Sequence, residues 1–310
     1  MTTEVERFMS AGHALADVRN LPAGQGQWRR QYSTGQAGTV ILGRMLAQVA
    51  VVPVPADRCT LVGADGDPEM LAALAARLEG RALRIEGDIP FKPGGGHGPF
   101  RGTFSGSGVT VISGGSFSCS SSGGHGHTVI IEGREVDLSR YIRLVLTVPA
   151  ATSVQVSDLL GTVGITGDLD GSLDFSPAFL AELVAAGSVG SLTGDLTGSG
   201  SAMLGAVAGD ADMEVSGSGS FRIGEVLGSV TAKVSGSGSV AIGGGTSTQL
   251  RASVSGSGSV CHQGLITGGA RLRVSGSGNV IAAAVRGAID PKVAGSGSIT
   301  ANGRTYRPRW

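Results

Sequence analysis

Apolar and polar residues alternate along the second half of the chain in short bursts that return at a fixed interval. Leu250, Ala252 and Val254 alternate with Arg251 and Ser253, and the same phase recurs in Val230, Ala232 and Val234, in Ala270, Leu272 and Val274, and in Ile289, Pro291 and Val293. A period of two marks a strand with one buried face. A second alternation follows each burst, in Phe221 and Ile223, Val240 and Ile242, Ile299 and Ala301. Between the two lies one phrase. Val215-Ser-Gly-Ser-Gly-Ser-Phe221 returns from Val234, Val254, Val274 and, as Val-Ala-Gly-Ser-Gly-Ser-Ile, from Val293, at steps of 19, 20, 20 and 19 residues. That interval suits one coil of a β-solenoid.

The pattern predicts an all-β fold, a parallel β-helix with coils of about 20 residues and a small N-terminal α/β cap. The Ser-Gly-Ser-Gly element is expected at a corner, with glycines at φ > 0 and serines bonding the bend. A flexible Gly/Ser linker would use the same letters but has no reason to sit between strands at a fixed period. Stacking coils in register would place Ser218, Ser237, Ser257 and Ser277 in one column. The frame extends upstream through Leu196, Phe175 and Val156, at steps of 19, 21 and 19, and makes eight coils. Phe104-Ser-Gly-Ser-Gly108 suggests an earlier, irregular one.

Outside the repeats four segments emerge. Residues 1–37 read as a tail or a short amphipathic helix over Glu4–Val18, and Gln25–Tyr32 mixes aromatic and basic residues that could dock onto a partner. Residues 38–90 read as a strand–helix–strand cap. Its helix opens at Asp67-Pro68-Glu69, carries a stripe of Met70, Leu71, Leu74 and Leu78, and stops at Gly80. Residues 91–303 form the β-helix, with a helical insertion expected over Ser176–Val184, and 304–310 are a basic tail beyond the last coil.

The Val-Ser-Gly-Ser-Gly-Ser-Val coils, with Gln48–Val54 and the stretch to Gly80–Ile85, resemble the head GIN domain family of adhesin-like proteins over residues 40–303. The resemblance implies a parallel β-helix with a non-enzymatic, adhesin-like role.

Composition narrows the function classes. With 54 glycines, 4% aromatics and a formal net charge of zero in 310 residues, the chain offers no global attraction for nucleic acid or an anionic membrane. No apolar stretch is long and unbroken enough for a membrane span. The N-terminus lacks a secretory signal, which predicts a cytoplasmic chain or export by a non-standard route. Cys59, Cys119 and Cys261 are odd in number and far apart, which fits a reducing compartment.

Three groups of residues are candidates for chemistry. His125 and His127, with His97 and Cys119 nearby in sequence, resemble a metal site but lack a third ligand at diagnostic spacing. Asp158, Asp168, Asp170 and Asp174 crowd one region, as paired carboxylates do in solenoid polysaccharide enzymes, yet read equally as turn residues. Cys261 and His262 are neighbours, but adjacent strand residues face opposite ways, with His262 inward and Cys261 outward. The sequence therefore assigns no catalytic, cofactor-binding or metal residue.

The expected function is a non-enzymatic structural or interaction protein, self-associating with itself as homo-oligomer or binding another protein. The alternatives are a cytoplasmic scaffold in the manner of bactofilin-type β-helices and a carbohydrate-active enzyme. An uncovered last coil, and an outward series running Asp174, Asp195, Glu214, Lys233, Ser253, Arg273, Lys292, predict head-to-tail assembly.

Overall fold

The computed structural model describes residues 28–35, 37–55, 59–89, 109–111, 128–131, 134–137, 140–177 and 181–308. They form a β-solenoid of about 7 turns, built on two long strand ladders. The first ladder stacks Ala82–Glu86, Thr39–Gly43 and Ser153–Ser157 in parallel. It continues through the strands that end at Ser176, Leu196, Val215, Val234, Val254, Val274 and Val293. The second begins with Ile142–Pro149 on Met45–Val54 and Leu159–Ile165, and runs to Ser298–Ala301. Thr128–Ile131 pairs with Val109–Val111 and Arg134–Asp137 in a separate three-stranded sheet.

The alternation read from the sequence becomes columns of side chains. Val215, Val234, Val254 and Val274 stack on one another at 2% exposure or less. Outward partners at the intervening positions stay in solvent, as Arg251 and Ser253 do. One apolar lumen runs the length of the molecule, from Leu83 and Ile85 to Ile299 and Ala301. At roughly 1.5–3 kcal/mol for each fully buried Val, Leu or Ile, this lumen is the main stabilising term.

Several expectations need correction. The repeat glycines are not at positive φ, Gly295 (φ 106°) excepted; their function is close approach. A Cβ on Gly236, Gly256 or Gly276 would lie 2.2 Å from the carbonyl oxygen of the glycine one coil earlier. The coils pack so closely here because each corner carbonyl takes two donors: Ser257 and Gly258 N–H both bond to Gly236 O at 3.1 Å. Any side chain in that column would push the coils apart.

The upstream frame also slips. Phe175 stacks under Gly194, a step of 19 residues, and not under Leu196. Gly194 has no side chain because the Phe221 ring occupies its space, within 2.4 Å of where a Cβ would sit. The expected helical insertion over Ser176–Val184 is absent where the chain is described: Ser176 ends one strand and Ala181–Val184 begin another.

The cap helix is shorter than its apolar stripe suggests. It spans Pro68–Ala73, with the Asp67 carboxylate accepting from Glu69 and Met70 N–H at 3.1 Å. Leu74 is already extended, and Ala75–Glu79 form a strand antiparallel to Ala82–Glu86. Gly80 (φ 63°) makes the hairpin turn instead of ending a helix. Ladder pairing overrides helix propensity once a partner strand follows after a two-residue turn. Met70 and Leu71 still cover the N-terminal end of the lumen. Trp28–Tyr32 lies there too, antiparallel on Thr60–Gly66.

The C-terminal tail is likewise part of the fold. Asn302 (φ 50°) and Gly303 (φ 74°) turn the chain, and Arg304–Tyr306 pairs antiparallel with Ser298–Ala301. The Asn302 amide closes another side of the coil by accepting from Val285 N–H (2.7 Å) and donating to Val285 O (2.8 Å). On the remaining side the last strand is Ile289–Val293. Ala270 N–H donates forward to Ala288 O, and Val254 O accepts from Ser275 in the coil ahead. By alternation Ile289, Pro291 and Val293 point their backbone groups off the end. Proline at the centre of that row has no N–H to offer, the usual way to blunt an edge strand. The last coil is thus covered on two sides and blunted on the third, unlike the uncovered end expected from the sequence.

Candidate interaction surface

The four crowded aspartates do not converge. Asp158 sits in a left-handed corner (φ 48°), where burial raises its carboxyl pKa against the opposing pull of Arg44. Asp168 accepts from the Ser188 N–H (2.8 Å) and hydroxyl (2.9 Å) of the next coil, which lower its pKa. Asp210 repeats this contact with Ser229 N–H at 2.8 Å. These acids tie one coil to the next. Asp170 is exposed, and Asp174 accepts from Ser176 Oγ at 2.9 Å on the outer face of the first ladder. A glycosidase pair needs two carboxyls facing one bond across about 5–9.5 Å, one of them held protonated; here the hydrogen bonds to Asp168 favour its ionised form.

Cys261 and His262 separate as strand geometry requires. His262 is fully buried in the column between Ile242 and Ala282, while Cys261 lies outward. His262 has a partner that the sequence did not suggest. Its Nε2 lies 2.9 Å from Ser247 Oγ, and that hydroxyl donates to Val226 O at 3.2 Å. A hydroxyl that donates to this carbonyl takes its second bond from Nε2–H, which leaves Nδ1 as the unprotonated nitrogen. A nucleophilic serine needs the reverse arrangement. Burial lowers the His262 pKa, so the ring is a neutral member of the lumen. Alternation could place His262 inside, but only the fold brings Ser247 to it.

His97, Cys119, His125 and His127 lie outside the described residues. Among the described residues, no three His, Cys, Asp or Glu side chains are grouped to hold a metal ion, and no helix is long and apolar enough to cross a membrane.

What the fold does assemble is an outer face. On the first ladder two outward columns run along the solenoid. One is Gln155, Asp174, Thr193, Asp212, Thr231, Arg251, Arg271, Asp290. The other is Ser157, Ser176, Asp195, Glu214, Lys233, Ser253, Arg273, Lys292. Asp174 therefore belongs to a different column from Asp195, a consequence of the slipped frame. The expected series used one outward position per coil; the neighbouring position carries the same trend as far as Arg271, and Asp290 ends it. Lateral ion pairs stitch the face: Lys233 to Glu214 at 3.4 Å, and both Arg271 (3.6 Å) and Arg273 to Asp290. Arg273 holds the Asp290 carboxyl below its ordinary range.

At the other end, Arg140 bridges the cap, donating to Asp67 at 2.7 Å and Glu69 at 2.6 Å. The Asp67 carboxyl is lowered, chiefly by the Arg140 hydrogen bond.

No family model matches the chain, and comparison with curated proteins finds no match. Solved structures do resemble it. A putative adhesin from Parabacteroides distasonis superposes with a TM-score of 0.53 at 16% identity, covering 90% of this chain and 98% of its own. A putative lipid binding protein from the same organism reaches 0.48 at 14% identity, covering 90% and 97%. A putative adhesin from Parabacteroides merdae reaches 0.48 at 12% identity, also covering 90% and 97%. At such identities the likeness concerns the fold, and the β-solenoid is common to this chain and the putative adhesin from Parabacteroides distasonis.

Proposed function

We propose that the chain is a non-enzymatic interaction protein, adhesin-like in use, whose working parts are its repetitive outer faces. One observation carries this reading. Among the described residues the interior is filled by apolar columns, with three buried threonines and a Ser–His pair as its polar members, whereas the charged side chains of the first ladder are arrayed outward in register. A surface of that kind suits binding to an extended partner. The name of the Parabacteroides distasonis protein is consistent with it. The closed last coil and Pro291 weigh against an end-to-end polymer of the bactofilin type.

The test is retention of labelled cells and of cell-surface polymers on immobilised full-length protein, with product detection on the same polysaccharides. Saturable retention without product is the expected result. Release of reducing ends, or retention no greater than on an inert protein, would overturn the proposal.

A further inference from the structure

We infer that the outer face of the first ladder, from Ser153 to Val293, is a homodimer surface on which two copies pack face to face with antiparallel solenoid axes. The inference rests on the reading of the chain as an interaction protein and names one partner for it, a second copy of this chain.

The argument is charge complementarity with itself. Moving along the ladder, the outward pairs are Asp174 with Ser176, Thr193 with Asp195, and Asp212 with Glu214. They continue as Thr231 with Lys233, Arg251 with Ser253, and Arg271 with Arg273. The sign changes midway, between the Glu214 and Lys233 strands. A two-fold axis parallel to the strands at that midpoint lays each acidic strand on a basic one. The Asp212–Glu214 strand meets the partner's Thr231–Lys233 strand, and the Thr193–Asp195 strand meets the Arg251–Ser253 strand. The Asp174 strand meets the Arg271–Arg273 strand. The outermost strands, Gln155 with Ser157 and Asp290 with Lys292, are each neutral and meet each other. A two-fold axis along the solenoid would instead lay acid on acid and base on base, which costs binding. An isologous contact of the first kind closes on itself and stops at two copies.

Size sets the expected strength. Seven steps of about 4.8 Å and a strand of about 16 Å give roughly 550 Å² per copy, or about 1,100 Å² in total. That is the low end for a specific interface, and the face is polar, so the dimer is weak and sensitive to salt.

Asp174 and Arg271 provide the test. Within one chain they lie five strands apart in the same column, about 24 Å, and cannot touch. In the dimer each faces the other's counterpart. Sedimentation velocity of the full chain is expected to show dimers in about 0.1 M salt and monomers in about 1 M, where charges are screened within roughly 3 Å. Asp174→Arg alone and Arg271→Asp alone each create two like-charge contacts, and dimerisation should weaken at least about tenfold. Mixing the two variants should restore dimers, now heterodimers, because both contacts become opposite in sign. That restoration also shows that each variant is folded. A wild type that stays monomeric in low salt, single variants that dimerise like wild type, or a mixture that stays monomeric would each overturn the inference. None of these outcomes bears on retention in the surface-binding assay, so the two readings fail separately.

Discussion

The solenoid turns its corners in two ways. In the early coils a single residue does it: Arg44 (φ 55°) between Thr39–Gly43 and Met45–Val54, and Asp158 (φ 48°) between Ser153–Ser157 and Leu159–Ile165. In the later coils the Ser-Gly-Ser-Gly element spans the corner with glycines at ordinary φ, Gly295 of the last one excepted, packed backbone on backbone. The first design concentrates strain in one left-handed residue. The second spreads the bend over four residues and requires that no Cβ intrude. Glycine is therefore dispensable where the chain kinks and obligatory where the coils touch.

Predictions follow in order of expected effect, each set against that contrast. Val254→Asp would put a carboxylate in the lumen of the glycine-cornered coils and should cost at least about 3 kcal/mol. Ser253→Asp, facing outward, should be nearly silent. Chemical unfolding of the pair checks this, and equal damage would mean that the register is wrong.

Gly194→Ala should cost about 1–3 kcal/mol by driving a methyl into the Phe221 ring. Adding Phe221→Val, the residue found one coil later at Val240, should recover part of the loss. Additive losses in the double variant would show that the two side chains do not compete for space.

His262 tests the interior by pH. Its folded pKa lies below the ordinary value of about 6.5. Between the two values the unfolded chain binds more protons than the folded one. The stability contribution is thus intact above about pH 6.5 and is lost as pH falls towards the folded pKa. His262→Ile, continuing the Ile223–Ile242 column, should flatten that dependence in thermal unfolding across the acid range. An unchanged slope would place the sensitivity elsewhere.

The smallest effect belongs to the kinked corner. Asp158→Gly relieves left-handed strain and removes a carboxyl that burial disfavours, for a gain of up to about 1 kcal/mol. A loss of stability would mean that the Asp158 side chain holds the corner.

The same contrast explains what could be read from the sequence. Later coils repeat at 19 or 20 residues because every rung must present the same glycines to its neighbour, so alternation and period gave strands, columns and the inward placement of His262. Early coils meet their neighbours closely at scattered glycines such as Gly161 and Gly171, not through a repeated phrase. There the rungs come from distant segments, with Ile142–Pro149 laid on Met45–Val54, and no local period records that pairing. The step from Phe175 was misjudged by two residues because its corner lacks glycine letters to anchor the count. Ala75–Glu79 read as helix for a similar reason. Its apolar spacing fits both periods, and only the hairpin at Gly80 selects the strand. The outer face was half legible, since one column was followed and its neighbour was not. The Ser247 contact was not legible at all, because it joins two columns across the lumen.

The most direct test of close approach as the closing device is the unfolding midpoint of Gly256→Ala beside Gly303→Ala. Gly303 sits at φ 74° with nothing within 4 Å of an added Cβ, so alanine there meets only backbone strain of about 1 kcal/mol. Gly256 lacks that strain but would place its Cβ 2.2 Å from Gly236 O. The account predicts the larger fall for Gly256→Ala, by at least about 1 kcal/mol beyond Gly303→Ala. An equal or smaller fall would contradict it.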